Sequence, residues 1–160
     1  MVKAQLVKLA IEVASAQGLP PSWLLAIMEI ESNFRADAKR LWGTDGKRGG
    51  AYGLCQMTVQ TAKGLGFAGK PDELLDPKLN LTLAARLLKQ LSSQFGGVLM
   101  DVACGYNSGK SCAACKKISE TDPDQARRAR HGRTILFYAP TVVKFERRWA
   151  AELARAAPNA

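Results

Sequence analysis

Glu31 has the clearest capacity for chemistry in this chain, because it closes an apolar run from Trp23 to Ile30. Helical spacing sets Ile27 and Met28 one turn before it and Leu24 two turns before it, so its carboxyl shares a face with apolar side chains. Such surroundings disfavour the charged form, raise the pKa and let the group stay protonated as a general acid near neutral pH. Glu29 points to roughly the opposite side of the helix and reads as a solvated charge. Judged from this helix alone, a helix-end carboxylate pairing with Arg35 is the simpler account of Glu31, since surface ion pairs are common.

The other reactive set is four cysteines, Cys55, Cys104, Cys112 and Cys115. Cys112 and Cys115 form a Cys-x-x-Cys pair on a segment that reads as a loop. A structural zinc ion requires four ligands, and one such pair with a single histidine in the chain, His131, is a thin case for it. Free thiols or one disulfide are expected instead; no metal ligand and no cofactor is assigned.

These residues need elements to hold them, and the apolar spacing is helical almost throughout. Leu6, Leu9, Ala10, Val13 and Ala14 predict a first helix ending near Gln17, with Gly18 as its stop. Pro20 and Pro21 open a second helix, where a missing amide costs nothing, and Glu31 and Ser32 end it. Arg35 to Gly53 is rich in glycine and reads as loop or short irregular hairpin. Thr58 caps a short helix through Lys63, and Asp76-Pro77 precedes a long amphipathic helix from about Leu79 to Phe95. A helix over Val98 to Cys104 leads into Gly105-Tyr106-Asn107-Ser108-Gly109, which reads as a turn-rich segment. Lys110 to Arg130 reads as one long polar stretch, and helical spacing returns from Thr134 to Leu153. On residue type alone, Tyr106 and Tyr138 are amphipathic core residues and Asn107 stabilises a turn.

The whole is a mainly α chain, expected to fold as a single domain over residues 1–160. Its formal net charge of +9 attracts anionic partners at long range without choosing among them. The arginines Arg127, Arg128, Arg130 and Arg133 cluster without interleaved aromatics, so no nucleic-acid partner is expected. No apolar stretch reaches the roughly 18 residues of a membrane span, and Lys3, Lys8 and Glu12 interrupt the N-terminal apolar pattern, which is therefore read as a folded helix and not as a secretory signal.

Several segments in order carry a family resemblance. Glu31-Ser32-Asn33-Phe34 resembles the Glu-Ser-x-Phe segment of the soluble lytic transglycosylases, and Tyr52-Gly53-Leu54-Cys55-Gln56 resembles their Gly-Leu-Met-Gln motif. Asp76-Pro77 with Asn80 is similar to their Asp-Pro-x-x-Asn, Gly105-Tyr106-Asn107-Ser108-Gly109 to Ala-Tyr-Asn-Ala-Gly, and Tyr138-Ala139-Pro140-Thr141-Val142 to Tyr-Val-Pro-Lys-Val. Cys55 replaces the family's methionine.

The resemblance implies a lysozyme-like helical fold with a catalytic cleft and at most a small irregular hairpin. It implies cleavage of the β-1,4 bond between N-acetylmuramic acid and N-acetylglucosamine in peptidoglycan, with Glu31 as acid and base. Ser32 would hydrogen-bond near Glu31, Tyr52 and Gln56 would line the sugar site, Tyr106 and Tyr138 would orient Glu31, and Asn107 would support the same wall. The expected partners are peptidoglycan glycan strands and the anionic bacterial envelope, met by a monomer in the periplasm or at the cell wall; with no secretory signal or membrane span read in the sequence, a phage-encoded, holin-released or virion-borne lysin is one expected setting and a secretion-system or wall-remodelling enzyme the other.

The segment between Glu31 and Gly53 is longer than usual for that family. Leu41-Trp42-Gly43-Thr44-Asp45 resembles the Trp-Gly-Asp segment of goose-type lysozymes, which makes Asp45 a candidate second carboxylate. It would activate water for inverting hydrolysis across a carboxyl separation of roughly 6.5 to 9.5 Å. Met57 and Thr58 stand where that family carries an acidic residue after Gly-Leu-Met-Gln, and Asp45 beside Gly46 is also a common turn pair.

Overall fold

A computed structural model describes residues 1–42 and 49–157. The chain divides into two compact units, Met1–Leu87 and Leu88–Ala160, with the boundary inside one long helix.

In the first unit, α1 (Lys3–Ala16) buries Leu6, Ala10, Val13 and Ala14, the stripe its spacing predicts. Gly18 follows in the left-handed region at φ +67°. Helix α2 (Pro21–Ser32) opens on proline and has every residue from Leu24 to Met28 at 0% exposure, so it is walled in on most sides. Its exit is sharp. Asn33 and Phe34 take φ 50° and 63° in succession, a conformation that costs a non-glycine residue about 1 kcal/mol or more. The Asn33 amide donates to the Glu29 carbonyl at 3.0 Å, closing the last turn.

The expected hairpin is present and carries one more strand than the sequence pattern suggests. Strands β1 (Lys39–Leu41), β2 (Gly50–Tyr52) and β3 (Met57–Thr58) form an antiparallel sheet in that order, with Lys39 opposite Tyr52 and Ala51 opposite Thr58. Strand β2 is buried along its whole length. Thr58 then caps α3 (Val59–Gly64), its hydroxyl accepting the Thr61 amide at 3.0 Å. A single 3-10 turn (Pro71–Leu75) leads to α4 (Pro77–Gln94), whose first turn is capped by the Asp76 carboxylate accepting from the Leu79 amide at 2.8 Å.

The second unit departs from expectation in two places. Helix α5 (Leu99–Ser108) runs through Gly105-Tyr106-Asn107, where the sequence suggests a turn, and stops only at Gly109 with φ 72°. Gly105 serves close packing: a β-carbon there would lie 2.5 Å from the Phe95 ring and 2.9 Å from Leu91. The polar stretch after it contains two helices, α6 (Cys112–Thr121) and α7 (Gln125–Arg133), and so Cys112 and Cys115 lie on a helix and not in a loop. Ser111 and Asp124 cap them by accepting the amides of Ala114 and Arg127. Periodicity could not reveal these helices, because the only residue α6 buries is Cys115 and the only one α7 buries is His131. A wide π-helical turn (Thr134–Tyr138) exposes Leu136 and Phe137 and leads into α8 (Ala139–Ala156), with Pro140 in its first turn and Ala139, Val142 and Trp149 buried.

Candidate active site

In the first unit the candidate residues are organised around the turn Gly53–Gln56. Gly53 has φ +73°, and a β-carbon there would meet the Asn80 side chain at 2.5 Å and the Leu74 carbonyl at 2.6 Å, so only glycine fits. Asn80 is fully buried and spends its whole amide on backbone. Its Oδ1 accepts the Cys55 amide at 2.8 Å, while its Nδ2 donates to the carbonyls of Tyr52 at 2.8 Å and Leu74 at 2.7 Å. Gln56, left-handed at φ 48°, donates from Nε2 to the carbonyls of Ala38 at 3.1 Å and Gly53 at 3.0 Å. Both partners are carbonyls, which fixes the nitrogen's identity and leaves Oε1 as the acceptor end of the amide.

Helix α2 is joined to this turn by Ser32. Its hydroxyl carries one proton and donates it to the Leu54 carbonyl at 2.8 Å, with the Met28 carbonyl next nearest at 3.2 Å. Ser32 is 4% exposed, so it acts as a buried tie between helix and turn. Glu31, half-buried, is thereby held at the same end of α2. Its influence on the turn is electrostatic as well: burial, and second the Glu31 charge, push the Cys55 thiol well above its ordinary value of 9.0. Cys55 is therefore a neutral, buried wall residue. Tyr52 is only 7% exposed.

The second unit carries the remaining expected residues. Tyr106 and Asn107 occupy the last turns of α5, Tyr138 ends the π-helical turn, and all three are half-buried. The buried Thr134 hydroxyl donates to Asn107 Oδ1 at 2.7 Å, fixing the amide's orientation from the start of the turn that bears Tyr138. Asp45 lies outside the described residues, together with Gly43, Thr44 and Gly46.

Sequence reasoning passed over two residues that organise these groups. Asn80 is visible in the Asp-Pro-x-x-Asn pattern, but its role depends on backbone groups of Tyr52 and Cys55, far away in sequence, as well as on the nearby Leu74 carbonyl. Thr134 has no sequence signal at all.

A half-buried carboxyl at the end of an apolar helix, clamped to a glycine turn beside a small antiparallel sheet, defines a lysozyme-like helical fold of the soluble lytic transglycosylase type. Residues 8–128 match the transglycosylase SLT domain, and the chain belongs to that family. Over 102 residues it is 32% identical to the peptidoglycan transglycosylase gp16 of Escherichia phage T7, a match covering 62% of this chain and 7% of that protein. Among solved structures it is similar to an inactive mutant of the lytic transglycosylase Slt from Pseudomonas aeruginosa, with 26% identity and a TM-score of 0.65 over 91% of this chain and 24% of that one. The fold is also that of the 70-kDa soluble lytic transglycosylase SLT70 from Escherichia coli, with 22% identity and a TM-score of 0.64 over 87% of this chain and 23% of the other. The chain thus spans about a quarter or less of the length of these relatives.

Proposed function

We propose that this chain is a peptidoglycan lytic transglycosylase domain in which Glu31 is both general acid and general base. Protonated Glu31 gives its proton to the glycosidic oxygen between N-acetylmuramic acid and N-acetylglucosamine as C1 becomes oxocarbenium-like. The resulting carboxylate then takes the proton of the muramic acid's C6 hydroxyl, whose oxygen attacks C1 and leaves a 1,6-anhydro end. The substrate's own N-acetyl group stabilises the intermediate. One carboxyl suffices, and no water enters.

The observation that carries this proposal is the Ser32–Leu54 bond at 2.8 Å, which locks the end of α2, and Glu31 with it, to the Gly53–Gln56 turn in a member of this family. A general acid needs such fixed placement. Gln56 offers its carbonyl to a sugar hydroxyl or N-acetyl N–H; Tyr52 supports the turn from behind. By the same family likeness, Tyr106, Asn107 and Tyr138 of the second unit are assigned as glycan-contacting residues, and the substrate is bacterial peptidoglycan.

Mass spectrometry of muropeptides released from purified peptidoglycan tests the reaction. The expected products carry 1,6-anhydro-muramic ends. Reducing muramic ends would replace this mechanism with hydrolysis and make Asp45 the base to mutate next, and no products at all would remove the enzymatic proposal.

A further inference from the structure

We propose that Cys104, Cys112, Cys115 and His131 form a structural zinc site in the reduced chain, independent of the glycan chemistry above. A Cys-x-x-Cys pair by itself is weak evidence, and the sequence offers no second pair. The fold supplies the missing ligands. Cys104, from α5, reaches Cys112 at the start of α6, with α-carbons 5.5 Å apart and the two sulfurs joined as a disulfide. Cys115, one turn further along α6, is a free buried thiol whose sulfur lies 3.4 Å from His131 Nδ1 on α7. Three of the four cysteines and the chain's one histidine therefore converge on one corner of the second unit.

The spacing suits the metal. Tetrahedral zinc with Zn–S of about 2.3 Å and Zn–N of about 2.0 Å sets sulfur and nitrogen about 3.5 Å apart, close to the 3.4 Å between Cys115 and His131. Two of the four groups are spent in the disulfide, and among the described residues no cluster of three or more metal-binding groups is assembled in that state. Reduction is thus the condition for binding. Two electrons and two protons from a dithiol convert the disulfide to two thiols. Zn²⁺ then displaces three thiol protons, from Cys104, Cys112 and Cys115, while neutral His131 binds through Nδ1.

A second observation points the same way. The helical pair α6 and α7 buries Cys115 from one helix and His131 from the other, and no apolar side chain from either. With Ala114 and Ile118 only half-buried, so small an apolar core gains from a cross-link, and a metal held by the two buried side chains is one that would join these helices. Three thiolates and Zn²⁺ leave one net negative charge, which Arg130, Lys110 and Arg127, the cations acting on His131, offset. Ser108 gives its hydroxyl proton to the Cys104 carbonyl at 2.8 Å and lies 3.1 Å from the Cys115 sulfur; turning that proton to the sulfur would orient a ligating thiolate.

The test uses the full chain, reduced and kept free of oxygen, titrated with Zn²⁺ and with Co²⁺ as a spectroscopic probe. One metal per chain and a thiolate-to-cobalt charge-transfer band are expected. His131→Ala and Cys115→Ser should each weaken binding at least about 100-fold, His131→Cys should retain the metal with a shifted cobalt spectrum, and Cys55→Ala should leave the stoichiometry at one. Trypsin cuts after Lys110 and Lys116, separating Cys104 from the Cys112–Cys115 peptide, so the bond state of each sample can be read directly. A reduced chain that takes up no metal at micromolar Zn²⁺, or a Cys115→Ser variant that binds as the parent does, would overturn the proposal and leave the Cys104–Cys112 disulfide as the cross-link.

Discussion

Glu31 and Cys55 form a pair whose behaviour can be measured from both sides. Glu31→Gln keeps the shape of the side chain and removes its proton chemistry. Strand cleavage should fall by about 10³-fold or more, within the range assigned to positioned acids and bases, while the circular dichroism and unfolding midpoint stay close to those of the parent. Cleavage retained within tenfold would remove Glu31 from the mechanism. Because the Glu31 charge helps hold the Cys55 proton, the same substitution should lower the pH at which Cys55 titrates, as followed by thiolate absorbance. The stability consequence has a definite sign. The folded-state pKa of Cys55 is raised, so its contribution is complete below the unfolded value near 9.0 and is lost as pH rises above it, when the unfolded chain releases a proton the native chain retains. Chemical denaturation between pH 7 and pH 10 should show this alkaline loss, and Cys55→Ala should show less of it.

Among elements, the turn between β2 and β3 depends on a residue from α4. Asn80→Ala would strand the Cys55 amide and the Tyr52 and Leu74 carbonyls, all bonded to Asn80 in the parent. Each buried group left unsatisfied costs about 1 kcal/mol or more, so a loss of about 3 kcal/mol in urea denaturation is expected. A loss under about 1 kcal/mol would mean that the turn holds its shape without this residue. The same element scale shows where sequence patterns succeed and fail. α1 and α2 were legible because burial of an apolar stripe leaves a 3.6-residue trace. α6 and α7 were not, because their single buried residues are a cysteine and a histidine. The Gly105 segment misled for a related reason: glycine and asparagine suggest a turn locally, and only the Phe95 and Leu91 side chains reveal that the glycine serves packing.

For the molecule as a whole, the +9 charge should act on encounter with the substrate more than on chemistry. Raising salt from about 50 to about 300 mM shortens the screening length to several ångströms, and should weaken association with anionic cell-wall fragments severalfold while leaving turnover on saturating short glycan strands nearly unchanged. A salt-independent association would show that the charge plays no part in targeting. The basic residues are spread along the chain, and none of the described helices is long and apolar enough to cross a membrane.

Sequence by itself determined the helical class, the positions of α1 to α4 and α8, and the place of Glu31 at the end of an apolar helix. Those features follow from local rules: proline at helix starts, glycine at stops, apolar residues one turn apart. Tertiary structure alone decided which distant groups meet. It placed Asn80 against three backbone groups from two other segments, brought the Thr134 hydroxyl to Asn107, and gathered Cys104, Cys112, Cys115 and His131 into one corner. Contacts between residues of different elements depend on how whole elements pack, and no spacing within a single segment records them.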